Sequence, residues 1–294
     1  MGSVHVENQP DAGDLTEPLW LQRALIALAV GFLGAFLLLP LAIVARVALS
    51  EGLGAYWAAI REEESLAALR LTLKTILVAV PVNLVFGLCA AWALGKFRFR
   101  GRNLLIGLID LPFSISPVIA GLMLVLVYGR QGWLGPSLRS LDVEVIFAFP
   151  GIALATAFVT LPYVVREVLP LMEEQGLEEE LAASTLGANG WQIFWRITLP
   201  NIKLAVLYGL LLCNARAIGE FGAVSVVSGH IAGQTNTVPL HVEAVYNEYR
   251  SAAAFAVASL LALTGLLTLL LRAIFDQVVA RRRARLIPIE QGQP

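Results

Sequence analysis

Two ionisable residues four positions apart, Arg216 and Glu220, follow an oily stretch, residues 204–215, that carries no charge at all. An arginine in such surroundings stays charged, and its planar fork of donors suits a tetrahedral oxyanion. Asn214, Gly219, Gly222, Ser225 and Ser228 add small or polar groups that can line a wet passage. Two accounts of the pair stay open. It is either a structural i,i+4 ion pair, or Arg216 offers positive potential to a passing anion. A second polar lining is Ser114 and Ser116, between two prolines in DLPFSISPVIAG (110–121). The prolines there free backbone carbonyls, so the segment is either a bent helix opened toward the protein interior or a packing kink. None of this chemistry makes or breaks a bond. The apolar runs hold no pair of histidines, no serine stands with a base, and the phosphate-cradling pattern Gly-x-x-x-x-Gly-Lys-Ser/Thr is missing. The residues point to moving a solute, not transforming it.

The elements that position these residues must be membrane helices. The chain has 294 residues, 57% hydrophobic and 15% charged, with mean hydropathy +0.74. That composition excludes a soluble domain, and a net charge of −1 gives no reason to expect nucleic acid as a partner. Charge-free runs cover 24–45, 75–95, 111–129, 145–165 and 251–271. Each is close to the roughly 20 residues that cross a hydrocarbon core of about 30 Å. Residues 204–215 reach only about 18 Å. A sixth span from Lys203 must therefore run on through Arg216 and Glu220, with Arg216 roughly 20 Å from its start. The expected fold class is an all-α polytopic membrane protein with six transmembrane helices.

Charge sets the expected orientation. Lys96, Arg98, Arg100 and Arg102 crowd one connection, Arg166, Arg196 and Lys203 flank a polar insert, and Arg281, Arg282, Arg283 and Arg285 lie near the end. The positive-inside rule assigns all of these to the cytoplasm, with both termini. The expected organisation is a cytoplasmic tail over 1–22, a first helix and periplasmic loop over 23–67, a five-helix core over 68–276, and a basic cytoplasmic tail over 277–294. The acidic start (Glu7, Asp11, Asp14, Glu17) is unlike the basic opening of a signal peptide, so the first helix is expected to be retained. Cys89 and Cys213, both within expected spans, read as small packing residues. Lys74 reads as a snorkelling helix-end residue, and Asp110 as a cap or ion-pair partner.

The polar insert, EEQGLEEELAASTLGANGWQIFWRITLP (173–200), is where a partner would grip. It reads as two short helices. Glu178, Glu179 and Glu180 suit a helix start, Gly187 an end, and Asn189 with Gln192 a capping box for the next helix. Ala182, Ala183 and Gly187 leave a thin face for close approach, and Pro200 starts a new element.

The spacing Ala182-Ala183, Gly187, Ile197, Leu199-Pro200 resembles the EAA loop of ABC importer permeases, with Leu181 standing where that family has Glu and Glu180 one residue early. The blocks AVPVNLVFG (79–87), LPFSISPVIAGL (111–122), TLPYVVREVLP (160–170) and NARAIGEFGAVSVVSG (214–229) resemble sulfate/thiosulfate ABC importer permeases of the CysW type. The Ala-Arg-Ala-Ile-Gly-Glu-Phe-Gly portion is also similar to molybdate permeases. This resemblance implies a type I importer permease fold in the cell inner membrane, with the insert as a coupling helix. It implies a second homologous permease subunit, two ATPase subunits and a periplasmic sulfate/thiosulfate-binding protein, with membrane lipid around them. No cofactor is expected on this chain; ATP and magnesium belong to the partner ATPase. The residues it puts in the ATPase groove are Ala182, Ala183, Gly187, Ala188, Asn189, Gly190 and Trp191. Along the substrate path it leaves Arg216, Asn214, Glu220, Ser114 and Ser116. A molybdate or tungstate importer permease is the alternative within the class, and an ion-coupled secondary transporter the alternative outside it.

Overall fold

The computed structural model describes residues 18–286, and among these residues every regular element is helical. The outer parts of the two expected tails, residues 1–17 and 287–294, lie outside the described residues. In chain order the helices are α1 (Leu19–Ala48), α2 (Gly52–Arg61), α3 (Glu63–Lys96), α4 (Arg102–Ser114), α5 (Pro117–Tyr128), α6 (Gly135–Ser140) and α7 (Phe149–Gln175). Then come α8 (Glu178–Thr185), α9 (Gly190–Ile193), a π-helical turn (Phe194–Thr198), α10 (Leu199–Ile218), α11 (Gly222–Ser228), α12 (Val238–Asn247) and α13 (Ser251–Leu286).

Among the described residues, five helical stretches are long and apolar enough to cross a bilayer: Leu19–Ala48, Glu63–Lys96, Phe149–Gln175, Gly190–Ile218 and Ser251–Gln277. The pair α4 and α5, bent by 111°, makes a sixth crossing only if the two together count as one broken span. The run 111–129 is therefore not one straight span. Pro117 explains the break: its ring disfavours helical backbone at the residue before it, and Ser116 sits at ψ 134° with Ile115 at ψ 136°. Past the last candidate span, which ends at Gln277, α13 continues as helix through the basic cluster to Leu286.

The centre of the bundle is α3, α7 and α10. Ala91, Val164, Val168, Met172, Ile202, Ala205 and Cys213 form its buried apolar cluster. Small residues set the spacing: a Cβ added at Gly87 would lie 2.7 Å from the Cβ of Val164, and one at Gly209 3.0 Å from its Cα. Lipid tails are as apolar as leucine, so such close backbone approach, with polar ties, is what holds membrane helices together. The tie here is Asn83, buried on α3, whose Nδ2 donates to Thr160 Oγ1 at 2.8 Å and to the Ala157 carbonyl at 3.0 Å on α7.

Two ends of the bundle are distinct. One, the loop end, carries the 97–101 connection and α8. The other, the far end, carries α2, α6 and α12. There Arg250 grips Glu62 with both Nη groups, at 3.2 and 2.9 Å. Beside this pair, buried His241 on α12 shares a 2.9 Å hydrogen bond with Ser65 Oγ on α3. The Arg250 hydrogen bond holds the Glu62 carboxyl below the usual carboxylate range, and burial holds the His241 imidazole below its usual range. Helix α1 stands apart, packing chiefly on α13, where Ala48 joins Ala59 and Ala256 and Tyr56 Oη meets Ser259 Oγ at 2.9 Å.

Candidate functional site

At the loop end, three glutamates open α8, where the helix dipole favours negative charge, and two of them make different contacts with the bundle. Glu180 turns back into the bundle. Its Oε1 lies 3.0 Å from Lys96 Nζ at the end of α3 and accepts from Thr198 Oγ1 at 2.6 Å. Lys96 also donates to the Gly176 carbonyl at 2.7 Å, so one ammonium joins α3, the end of α7 and α8. Its side chain is only 6% exposed, against 17% for Glu180. Glu179 accepts from Asn201 Nδ2 at 2.6 Å. Arg102 pairs with Glu173 alongside. Leu181, where the importer loop motif has Glu, turns outward and is exposed. One residue is about 100° of helix rotation, which is why moving the carboxylate from 181 to 180 redirects it from the outer surface to the bundle.

Helix α8 ends as the glycine foretold. Gly187 has φ +86°, its N–H donates to Ser184 O at 3.0 Å, and Ala188 N–H donates to Ala183 O at 3.1 Å. This is a Schellman stop, which needs left-handed backbone at that residue. Asn189 then forms the expected capping box with Gln192, at 2.9 and 3.0 Å. The second helix does not end at Pro200, however. It runs through the π turn directly into α10, making one span of 29 residues. A wide turn suits a position where Pro200 supplies no N–H.

The surface of this loop is open. Ala182, Gly187, Asn189 and Gly190 are exposed, Ala183 and Ala188 half-buried, and a Cβ at Gly187 or Gly190 would meet nothing within 4 Å. Leu186 is 89% exposed, an extreme for leucine on a polar surface. Trp191 is exposed too, its ring edge-on to Trp195 at 5.5 Å, while Phe194 stacks on Trp92 of α3 at 4.9 Å. The loop thus presents an apolar tip above an aromatic shoulder rooted in the bundle.

The second site lies at a helix break. α10 ends at Ile218, so Glu220 is not within the span but in the gap before α11. The pair survives this shift. Arg216 Nη1 lies 2.8 Å from Glu220 Oε2, an ion contact without hydrogen-bond alignment, and Glu220 Oε1 accepts from the Ala223 N–H at 2.9 Å. Glu220 is 1% exposed and Arg216 33%. The carboxylate is sealed inside while the guanidinium keeps one side open. Asn214, two residues before Arg216 on α10, is half-buried and its buried Oδ1 has no hydrogen-bond partner among the described residues.

The two breaks in the fold meet. A Cβ at Gly222 would lie 2.8 Å from the Cβ of Pro117, and one at Gly121 2.7 Å from the Ala223 carbonyl, so α5 and α11 touch at their glycines. Ser114 and Ser116 stand at the first break but are exposed on the chain, not turned into its interior as one reading of the prolines held. The kinked crossing faces outward from this chain.

Other residues moved from their expected places. Lys74 is not at a helix end. It sits well inside α3, its Nζ 4.3 Å from the Phe149 ring centre. Arg166 does not flank the insert but lies within α7, paired with Asp110. Cys213 is buried as a packing residue, whereas Cys89 is exposed. The Lys96–Glu180 link was not anticipated; the signal for it was a lone lysine ending a long apolar run with a glutamate just before the loop motif.

Comparison with known proteins gives these features a context. Residues 83–281 match the family model described as "Binding-protein-dependent transport system inner membrane component". The chain is 52% identical over 262 residues to the "Sulfate transport system permease protein CysW" of Synechococcus elongatus, covering 89% of this chain and 92% of that one. It is 53% identical over 260 residues to the protein of the same name from Synechocystis, covering 88% and 94%. Among solved structures, the bacterial alginate ABC transporter in complex with alginate pentasaccharide-bound periplasmic protein contains a chain of the same fold. That match has TM-score 0.72 at 16% identity, covering 89% of this chain and 94% of that one.

Proposed function

Since the chain belongs to the family of binding-protein-dependent transport system inner membrane components, we propose that it is the permease subunit of an ATP-driven importer that carries sulfate and thiosulfate across the cell inner membrane. The observation that carries this reading is the near-full-length likeness to relatives named for sulfate transport. It favours sulfate over the molybdate alternative. The chain is a transport subunit and not an enzyme.

The loop end faces the cytoplasm in this reading, because Lys96, Arg98, Arg100 and Arg102 gather there, and the far end faces the periplasm. Two ATPase subunits bind ATP and magnesium. One of them receives Ala182, Ala183, Gly187, Ala188, Asn189, Gly190 and Trp191, the open surface of α8 and the turn after it. A second homologous permease completes the pore, and a periplasmic sulfate/thiosulfate-binding protein delivers the anion to the far end. Closure of the ATPase pair pulls on α8. The Lys96 and Glu180 contacts hand that motion to α3, α7 and α10 together.

The anion's path passes the meeting point of the two breaks. Arg216 supplies positive potential there, and buried Glu220 holds the guanidinium in place while cancelling enough of its charge to let the dianion leave. Asn214, Ser114 and Ser116 offer hydrogen bonds along the same path.

Sulfate uptake in cells lacking their own equivalent subunit, but retaining the other components, tests this function. The chain should restore uptake, and excess thiosulfate should suppress it. No restoration with the chain inserted and ATPase bound, or suppression by molybdate and not thiosulfate, overturns the substrate assignment. Arg216→Ala should lower uptake while the complex stays assembled; dissociation would make Arg216 a structural residue.

A further inference from the structure

A second charged pair ties α7 to α4. Arg166 of α7 donates from Nε to Asp110 Oδ1 of α4 at 2.8 Å. α7 has 27 residues, about 40 Å at about 1.5 Å per residue. Arg166 is nine residues before its last residue, Gln175, hence about 13 Å from the loop end. With a hydrocarbon core of about 30 Å, the α-carbon of Arg166 sits within it.

Its side chain does not escape toward the loop end. The guanidinium carbon lies 4.4 Å from the centre of the Phe113 ring, and Phe113 packs edge-on against Tyr163 at 5.1 Å. Phe113 is three residues further from the loop end than Asp110 on α4, and Tyr163 three further than Arg166 on α7. These rings hold the guanidinium deep, opposite to the direction of snorkelling. Yet the pair is not enclosed by this chain: the Arg166 side chain is 56% exposed and that of Asp110 31%. The hydrogen bond to Asp110 uses Nε, leaving both Nη groups for water or an anion. On the same helix as Asp110, Ser114 is exposed, and Ser116 is exposed in the break that follows.

Hydrocarbon does not accommodate a half-exposed arginine and its aspartate at this depth. We propose that the face formed by Arg166, Asp110, Phe113 and Ser114 lines an aqueous passage open toward the cytoplasm, with Arg166 as a second fixed positive charge for the anion, distinct from Arg216. The anion's identity rests on the function proposed above; the wetness of the face does not. Asp110 has a role like that of Glu220. It keeps the guanidinium oriented and weakens its hold, so that a dianion is passed on and not trapped.

The test uses the assembled importer with Cys89→Ser and a single added Ser114→Cys, treated from the ATPase side with membrane-impermeant thiosulfonates of either charge. Both reagents should react, the anionic one faster, and Arg166→Gln should lower that preference about fivefold. Arg166→Lys should restore it, which separates charge from a folding effect. Reaction with a lipid-soluble maleimide alone places the face in lipid, and no reaction with any reagent places it against the second permease; either overturns the proposal. A charge preference unaltered in Arg166→Gln overturns the role of the arginine. Failure of the unsubstituted importer to take up sulfate would count against the substrate and leave the labelling result standing.

Discussion

Replacing Lys96 by Met should loosen α8 without unfolding the bundle. The ammonium is nearly buried, at 6% exposure, and is the shared partner of Glu180 and the Gly176 carbonyl. Removing one member of a buried pair costs about 3–5 kcal/mol, because the other charge is left uncompensated. Glu180 keeps some solvent and its Thr198 hydroxyl, so the lower end applies. About 3 kcal/mol at about 1.4 kcal/mol per decade is roughly two decades in the opening equilibrium. Amide hydrogen exchange of Leu186, Gly187 and Ala188, whose N–H groups close α8, reads that opening directly. Their exchange should quicken about a hundredfold in Lys96→Met, while amides of α7 near Val164 stay protected. Glu180→Gln should have a smaller effect, since Lys96 keeps the Gly176 carbonyl. The double variant should fall well short of the sum of the two. Unchanged exchange at α8, or effects that simply add, would refute the reasoning that this pair anchors the loop.

Gly187→Asn should retain most transport, because asparagine tolerates left-handed backbone, whereas Gly187→Val should stop it by breaking the Schellman turn; uptake by both variants, measured at equal membrane levels, checks this. Gly222→Ala should destabilise the chain by about 1–3 kcal/mol, since the added methyl meets Pro117 at the junction of the two breaks; thermal unfolding in detergent against Gly219→Ala, where nothing lies within 4 Å, is the comparison. Acid should loosen the far end in two steps. His241 is held below its ordinary pKa, so its share of stability is full above about 6.5 and fades as pH falls through its folded value. Glu62 is likewise lowered, and its share is full above about 4.3 and is lost at still lower pH. His241→Gln should flatten the first step of an exchange-versus-pH curve for α12, and Glu62→Gln the second.

The spans were legible because bilayer thickness leaves a direct mark on sequence: a helix must stay apolar for its whole crossing. The α8 stop and the Asn189 cap were legible for a similar reason, since left-handed backbone and capping demand particular residues at particular places. The break at Ser116 was legible only as a kink. Two prolines say that a helix is interrupted, not by what angle, nor which side of the chain the serines will face. The end of α10 was missed because length arithmetic assumes a span begins at its first charge. Here the helix starts at Gly190, 13 residues before Lys203, and so ends before Glu220. Arg166 was read as a flanking residue because a charge at the edge of an apolar run looks external when its partner, Asp110, lies 56 residues away. Pairings across such separations leave no periodic trace.

Helix α1 is the first described segment to be made, and α13, the last, is its chief neighbour. During synthesis at a membrane, α1 therefore enters the bilayer with its main packing surface vacant. It must stay that way while every intervening helix is threaded in. Its own sequence can bear the wait: between Ala24 and Ala45 it carries no charge, so lipid is a tolerable temporary neighbour. Packing of the described residues is completed by joining α1 to α13. A chain that stops before α13 leaves Ala48 and Ala59 without Ala256, the buried contact that joins α1 and α2 to the last helix.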